Sequence, residues 1–535
     1  MQLKTPKSAG HIRDTLATLS LGLIAANVAV GPATAQQSTD TTDATPGEVT
    51  LTLPYFQVDS AYLSYAESGG RVQATEPSIN LSYHDSGGGV LTLGFQEDSV
   101  TGATPNGATP ADVAQSFVTP VKVKTSTASS SSGTGTTTVT TGFGDDTNVS
   151  GYTGGEGGEG GGTTSGGTTT GGTTTGTTTG TTGATTTVTV TTASGGSTII
   201  SVPATSNGSG GGTAVLGRQY TVPANMLPMD RGFQDQRFAG NIGWSQPLGG
   251  ISMVGVTLSY SKEHDYSSIS GSASVAQDFN DHNTTVSFAV NYTSATSTPF
   301  GGVPTPLSVM NPQWKSVASR KKTDVDFVLG VTEVLTRRWL LQANVSYGSS
   351  SGYQNDPYRI ISEVDATTGE PVNYLYENRP GSRNRQSLYI DNKIDLDWVI
   401  PEVALRYYHD GWGISSETAD ISARFKLYRS LYVLPNVRFY RQSAANFFHY
   451  YLVSGQALPA YASSDIRLGK FTGLTFGAQL GFNVTDNSEV YVRGQYYQQT
   501  GDSHPGGMIG QLQRQNMFSG IKASWMMVGY TWSFN

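Results

Sequence analysis

The links between the alternating segments of this chain sort by parity, and that ordering constrains the fold more than any other feature. From Tyr55 onward about sixteen stretches alternate apolar and polar residues with the period of two that marks a half-buried strand. They run at 55–66, 71–83, 90–101, 234–246, 251–262, 267–279, 284–294, 323–335, 339–349, 386–400, 402–410, 417–428, 431–442, 468–484, 489–499 and 520–534. One class of link is tight: HDSGGG, QPLGG, NDHN, LTRR, the break at Pro401, YRS and TDNSE. The other class includes the long stretches 102–233, 295–322, 350–385, 443–467 and 500–519. Short periplasmic turns alternating with long extracellular loops mark a transmembrane barrel. A soluble sandwich has no reason to sort its loops this way. The expected fold is all-β: a transmembrane antiparallel up-and-down β-barrel of about 16 strands with both termini periplasmic.

The two ends fit that reading. Lys4, Lys7 and Arg13 precede an apolar run at 16–30, and Ala33-Thr34-Ala35 supplies a small-residue cleavage site. Residues 1–35 therefore read as a secretory signal peptide, followed by a linker at 36–54. Nothing downstream approaches the roughly 20 apolar residues of a transmembrane helix, so any membrane span must be a closed barrel. At the other end Tyr530, Trp532 and Phe534 share one strand face with Met526 and Val528. Aromatics finishing a C-terminal strand suit the girdle of an outer-membrane barrel and an insertion signal read by the barrel-assembly machinery. The expected location is the outer membrane of a Gram-negative bacterium, after cleavage near Ala35, with lipid as the surrounding partner.

Residues 55–101 hold the first three strands and 234–535 the remainder. Between them, 102–233 collapses into Gly, Ser and Thr, including GGEGGEGGGTTSGG and GTTTG repeats. So little apolar surface does not offset ordering entropy, and most of this extracellular loop is expected to be disordered. Two β-prone patches, TTTVTVTT and STIISV, interrupt its far end. It reads as an insertion tolerated at a loop tip, with a surface-displayed stalk as the functional alternative.

Alternation also assigns charges to faces. Asp391, Lys393, Asp395 and Asp397 lie opposite Leu388, Ile390, Ile394, Leu396 and Trp398. Glu402, Arg406 and Asp410 lie opposite Val403 and Leu405, and Arg424 and Lys426 opposite Phe425 and Leu427. Arg438, Arg493, Asp324 and Asp326 complete the set. Arg or Lys facing lipid at mid-membrane costs about 2–4 kcal/mol, so these charges are expected to line a polar lumen. Loops 295–322 and 350–385 are candidates to fold inward, the latter carrying Asp356, Tyr358, Arg359, Arg379, Arg383 and Arg385.

Other chemistries find little support. The chain has no cysteine and a net charge of −8, which removes thiolate catalysis and haem attachment and gives no basic stripe for nucleic acid. His264-Asp265 is the best catalytic constellation and reads as structural, so no catalytic residue is assigned. Glu263, His264 and Asp265 alternate between faces, which argues against a shared metal, and neither metal nor cofactor is expected.

The segments EHDY (Glu263, His264, Asp265, Tyr266), NPQW (Asn311, Pro312, Trp314), DPY (Asp356, Pro357, Tyr358), LRYYHDGWGI with Trp412 and Gly413, and RFYRQSAANFF resemble a family catalogued as domain of unknown function 3570. The resemblance covers the mature chain apart from the Gly/Thr insert. It implies an exported Gram-negative barrel of no established activity. Relatives often stand beside genes for a flavin-attaching transferase, a lipoprotein and a thioredoxin-like protein, which implies possible periplasmic redox or lipoprotein partners. The expected function is a pore or channel with a charged lumen. The alternative is a plugged or closed barrel that anchors or displays such partners.

Overall fold

The computed structural model describes residues 53–128, 136–140, 173–175, 185–191, 197–203, 212–249, 252–299, 301–310, 315–428 and 430–535. The expected signal peptide and most of the linker lie outside these residues. So do Asn311, Pro312 and Trp314 and much of the Gly/Thr insert.

Sixteen antiparallel strands close into one barrel. They are β1 (Tyr55–Glu67), β2 (Gln73–His84), β3 (Val90–Pro105), β4 (Met229–Leu248), β5 (Ser252–Lys262) and β6 (Tyr266–Phe279). There follow β7 (Thr284–Ser297), β8 (Arg320–Thr336), β9 (Trp339–Gly352), β10 (Ser382–Ile394) and β11 (Val399–Asp410). The ring ends with β12 (Ser415–Tyr428), β13 (Leu431–Gln442), β14 (Phe471–Thr485), β15 (Ser488–Gly501) and β16 (Lys522–Phe534). Each strand pairs with its chain neighbours. β1 closes the ring on β16 in a register running from Phe56↔Phe534 to Glu67↔Ala523. Closure leaves no backbone edge, the condition for sheet to cross lipid. No helix among the described residues is long and apolar enough to cross a membrane.

The period-2 pattern sets the two faces. Leu258, Leu405, Ile421 and Phe476 point outward and are half-exposed to the surroundings, the surface that lipid covers. Outward aromatics form two belts. Phe56, Trp339, Phe482 and Trp532 lie near the end with the short turns, and Tyr62, Tyr260, Tyr292, Tyr347 and Tyr407 lie toward the end with the long links. Inside, tyrosines lie flat over glycines of the neighbouring strand. Tyr432 covers Gly481 and Tyr491 covers Gly529, where any Cβ would overlap the ring. These glycines make room for the large inward rings.

Several boundaries differ from the sequence expectation. β3 continues to Pro105 and β4 begins at Met229, so the wall rises past both expected ends of the insert. The insert is also more ordered at its flanks than its composition implied. Gln115–Ala128 pairs antiparallel with Gly212–Val222, and Phe117 and Val222 are buried in a cluster with Ala108, Ile360 and Tyr376. The two β-prone patches pair with each other as Thr185–Thr191 and Ser197–Pro203. Pro401 is not a break: it lies inside β11 opposite Ala423. The chain reverses earlier, at Asp395–Trp398.

Candidate functional site

Two regions gather the chemistry: the lumen wall, and a cap built by the long links. On the wall, β10 to β15 carry most of the cations. Arg438 Nε donates to Asp420 Oδ1 at 2.6 Å on the adjacent strand. The Arg406 guanidinium lies 5.4 Å from the centre of the Tyr389 ring, and that of Arg424 lies 3.7 Å from the Tyr432 ring. Arg493 donates twice to Gln479 Oε1, at 2.9 and 2.6 Å. Gln479 Nε2 donates to the Tyr432 hydroxyl and that hydroxyl to Glu489, each at 2.6 Å. Lys393 stands 3.7 Å from Glu402 across the β10–β11 pair. Asp391 shares that inward face.

Strands eight apart in a ring of sixteen face one another across the lumen, so β3, β4 and β5 look toward β11, β12 and β13. That opposite wall is acidic. Glu76 lies against Asp98, Arg237 pairs with Asp98, and Asp235 and Glu263 stand above them toward the loop end. Glu263, in the three-residue β5–β6 link, is pushed up to about 7 by burial and by the neighbouring Asp235 carboxylate. Glu76, Asp98 and Asp235 were absent from the sequence reading, and Glu263 figured there only as part of EHDY. Glu76 alternates with Ile79 and Leu81, and Asp98 with Phe95, so the period that located the basic wall also marks them.

Asp395 and Asp397 are corrected. Strand β10 ends at Ile394, and both acids occupy the turn that follows rather than the lumen wall. Alternation continues through IDLDW and hides the reversal. Asp397 takes a left-handed φ of 69°, and its backbone N–H donates to Asp395 Oδ1 at 2.9 Å. Exposed at the rim, Asp397 meets Arg338 at 2.7 Å, and Asp395 meets Lys426 at 3.1 Å. Arg383 and Arg385 move the other way, from an expected loop onto the inward face of β10. Arg385 pairs with Asp326 at 2.8 Å and Asp324 at 3.5 Å, and Arg383 Nε donates to Asp410 at 2.8 Å.

The cap joins five links: 106–228, 298–319, 353–381, 443–470 and 502–521. Its centre is a small sheet in which Ile360–Val364 pairs antiparallel with Pro371–Tyr376 and parallel with Leu452–Val453. Ile361, Leu375, Leu452 and Ala462 bury one face, and Val364, Leu512 and Met517 form a second cluster. Beside the sheet, three carboxylates and three guanidiniums interlock. Arg379 reaches Glu377 at 2.7 Å and Asp465 at 3.0 Å. Arg467 reaches Asp465 at 2.6 Å and Asp356 at 3.4 Å, while Arg359 stands 3.6 Å from Asp356. Burial alone would raise all three acids. The guanidiniums outweigh it at Asp465, held well below the carboxylate range, and at Asp356, which is lowered. At Glu377 burial prevails and the group is raised.

A sequence profile for the family described as protein of unknown function (DUF3570) matches residues 16–145 and 168–532. The chain belongs to this family. No curated protein sequence matches it. Among solved structures it is similar to the ferric enterobactin receptor PfeA (8% identity, TM-score 0.35, 83% of this chain and 54% of that one). A bacterial polysaccharide outer membrane secretin gives 7% identity and a TM-score of 0.38, covering 91% and 100%. OccK2 (OpdF) of Pseudomonas aeruginosa gives 7% and 0.33, covering 90% and 98%. The chain spans about half the length of the enterobactin receptor. At these scores none of the likenesses assigns a ligand.

Among the described residues, the motifs EHDY, DPY and DGWG of this DUF3570 chain fall at its loop end. Asp356 of DPY is a member of the cap's ionic cluster, and its carboxylate accepts the Tyr358 N–H at 3.1 Å after the turn through Pro357. In LRYYHDGWGI, Asp410 Oδ1 accepts the N–H groups of Trp412 and Ile414 at 2.9 and 3.0 Å, which shapes the tight β11–β12 link. The positive φ of Gly413 (88°) completes it. In EHDY, the Asp265 carbonyl accepts the Thr298 N–H at 2.6 Å, and Tyr266 opens β6. His264 and Asp265 are thus placed in a tight link rather than in a cleft.

Proposed function

We propose that the protein is a water-filled pore of a Gram-negative outer membrane that passes small hydrophilic solutes. The observation that carries this reading is the closed ring of sixteen strands with apolar residues outside and charged residues inside. A barrel of this size leaves an aqueous channel where loops do not fill it. The short turns would then be periplasmic and the cap extracellular. Export by residues 1–35 and insertion through the barrel-assembly machinery, with Tyr530, Trp532 and Phe534 as signal, belong to the same reading.

The lumen favours a selective pore over a neutral one. Its acidic and basic walls face each other, so a solute crossing between them meets a sideways field. Screening confines that field to about 8–10 Å at physiological salt. Only solutes that nearly fill the passage would feel both walls. Conductance of the folded protein in planar bilayers tests the proposal: discrete open-channel steps are expected, and silence at every voltage and with the cap opened would overturn it.

A further inference from the structure

Two motifs that the pore reading leaves unused meet at one place. The β11–β12 link, residues 411–414, is far shorter than the cap links on either side, so the rim is low there. A cleft of about 360 Å3 opens above it, walled by Gly411 and Trp412, by Asn446, Phe447 and His449 of the next long link, and by Pro380 and Pro459–Tyr461. That volume lies in the range of small-molecule sites, about 300–1,000 Å3.

The floor is rigid. Trp412 is buried, its indole N–H donates to the Ser382 carbonyl at 2.8 Å, and Phe447 meets its ring edge-on at 5.1 Å. The Arg383 guanidinium lies 4.3 Å from the centre of the same ring, so that charge is occupied with Trp412 and Asp410. Above the floor stand Asn446, His449 and Tyr461. Among the described residues none of their side-chain polar atoms has a hydrogen-bond partner. Asn446 is held by its own N–H, which donates to the Trp412 carbonyl at 2.8 Å. Its amide packs on Gly413, where a Cβ would overlap it. Burial lowers the His449 imidazole, which favours its uncharged form. No Asp, Glu, Lys or Arg lines the cleft.

An uncharged cleft that presents the Tyr461 ring, two prolines (Pro380 and Pro459) and three hydrogen-bonding groups without protein partners suits a ligand with an apolar face and a hydroxyl rim. We infer that this cleft binds a neutral saccharide of one or two rings at the outer surface, independently of conduction through the lumen. An amide and a neutral imidazole each donate and accept, as vicinal hydroxyls require.

Saturation-transfer NMR and calorimetry with the full-length protein, folded in a detergent without a sugar headgroup, test the site. Maltose and glucose are the probes, with gluconate and indole as charged and apolar controls. We expect maltose to bind, gluconate and indole to bind at least tenfold more weakly, and Asn446→Ala or Tyr461→Ala to weaken maltose at least tenfold. Both variants must keep heat-modifiable gel migration. Arg438→Gln in the lumen should leave maltose binding unchanged. No binding of either sugar overturns the inference, as does equal binding of indole or gluconate. Maltose binding that ignores both cleft variants, or falls with Arg438→Gln, places the sugar in the lumen and also overturns it.

Discussion

Arg385 on β10 reaches across β9 to Asp326 on β8, closing an ion pair of 2.8 Å over Gly348. Gly348 is opposite both residues in register, and a Cβ there would overlap the Asp326 carboxylate. The pair therefore depends on a residue that contributes no side chain. Gly348→Val is expected to separate the charges and cost about 1–3 kcal/mol through overpacking, read as a lower temperature for loss of heat-modifiable migration. A variant as stable as the parent would show that the wall relaxes around the added volume.

Charge on the basic wall should set ion preference. Arg438→Gln together with Arg424→Gln removes two cations while their neighbours Asp420 and Glu489 remain. Reversal potentials in a salt gradient are expected to shift toward cations, with insertion unchanged. Unaltered potentials in a conducting protein would mean that ions pass away from these arginines.

The outer face should behave oppositely, with a dependence on height. Ile421 lies mid-strand and points outward, so Ile421→Arg is expected to cost about 2–4 kcal/mol and to impair insertion into vesicles. Leu427 points the same way but lies one residue from the end of β12. Leu427→Arg should cost only about 0–1 kcal/mol. Equal effects at the two positions would contradict the placement of the apolar band.

The cap's response to pH follows from its ionic cluster. Asp356 and Asp465 titrate below their unfolded values of about 4, so the stability they supply is present above that range and is lost as pH falls through their depressed folded values. Glu377 is raised, so its contribution is present at low pH and is lost as pH rises through its folded value. Acidification from about pH 7 to about pH 5 should therefore leave protease resistance of the segment around Leu452 unchanged or higher. Asp465→Asn removes a buried partner of three guanidiniums and should cost about 3–5 kcal/mol. Cleavage near Gly455 at neutral pH, with the barrel still heat-modifiable, would report it.

The barrel was legible because its rules are local. Period-2 alternation located the wall and supplied the count, and loop parity supplied the common end of the long links. Turns were less visible where the alternation ran through them, as at Asp395–Asp397, since a left-handed φ at Asp397 leaves no mark on hydropathy. Pro401 misled for the complementary reason: one residue without an N–H can sit within a strand that keeps its other ladder bonds. The cap was illegible. Phe117, Ile360, Leu452 and Leu512 come from four links and are buried in three clusters around one small sheet only after the barrel brings those links together. The acidic wall was readable but needed the circular order of strands to be seen as facing the arginines.

The seam between β1 and β16 bears on assembly. Thr531 donates to Asp59 at 2.7 Å across a separation of 472 residues. No shorter-range contact can substitute for that closure, so the first strand must wait for the last. Until then the sheet has two raw edges, and contacts this distant in sequence form slowly. The period before closure is when aggregation competes with insertion. Substitutions along this seam should therefore lower the yield of barrel before they lower the endurance of barrels already made.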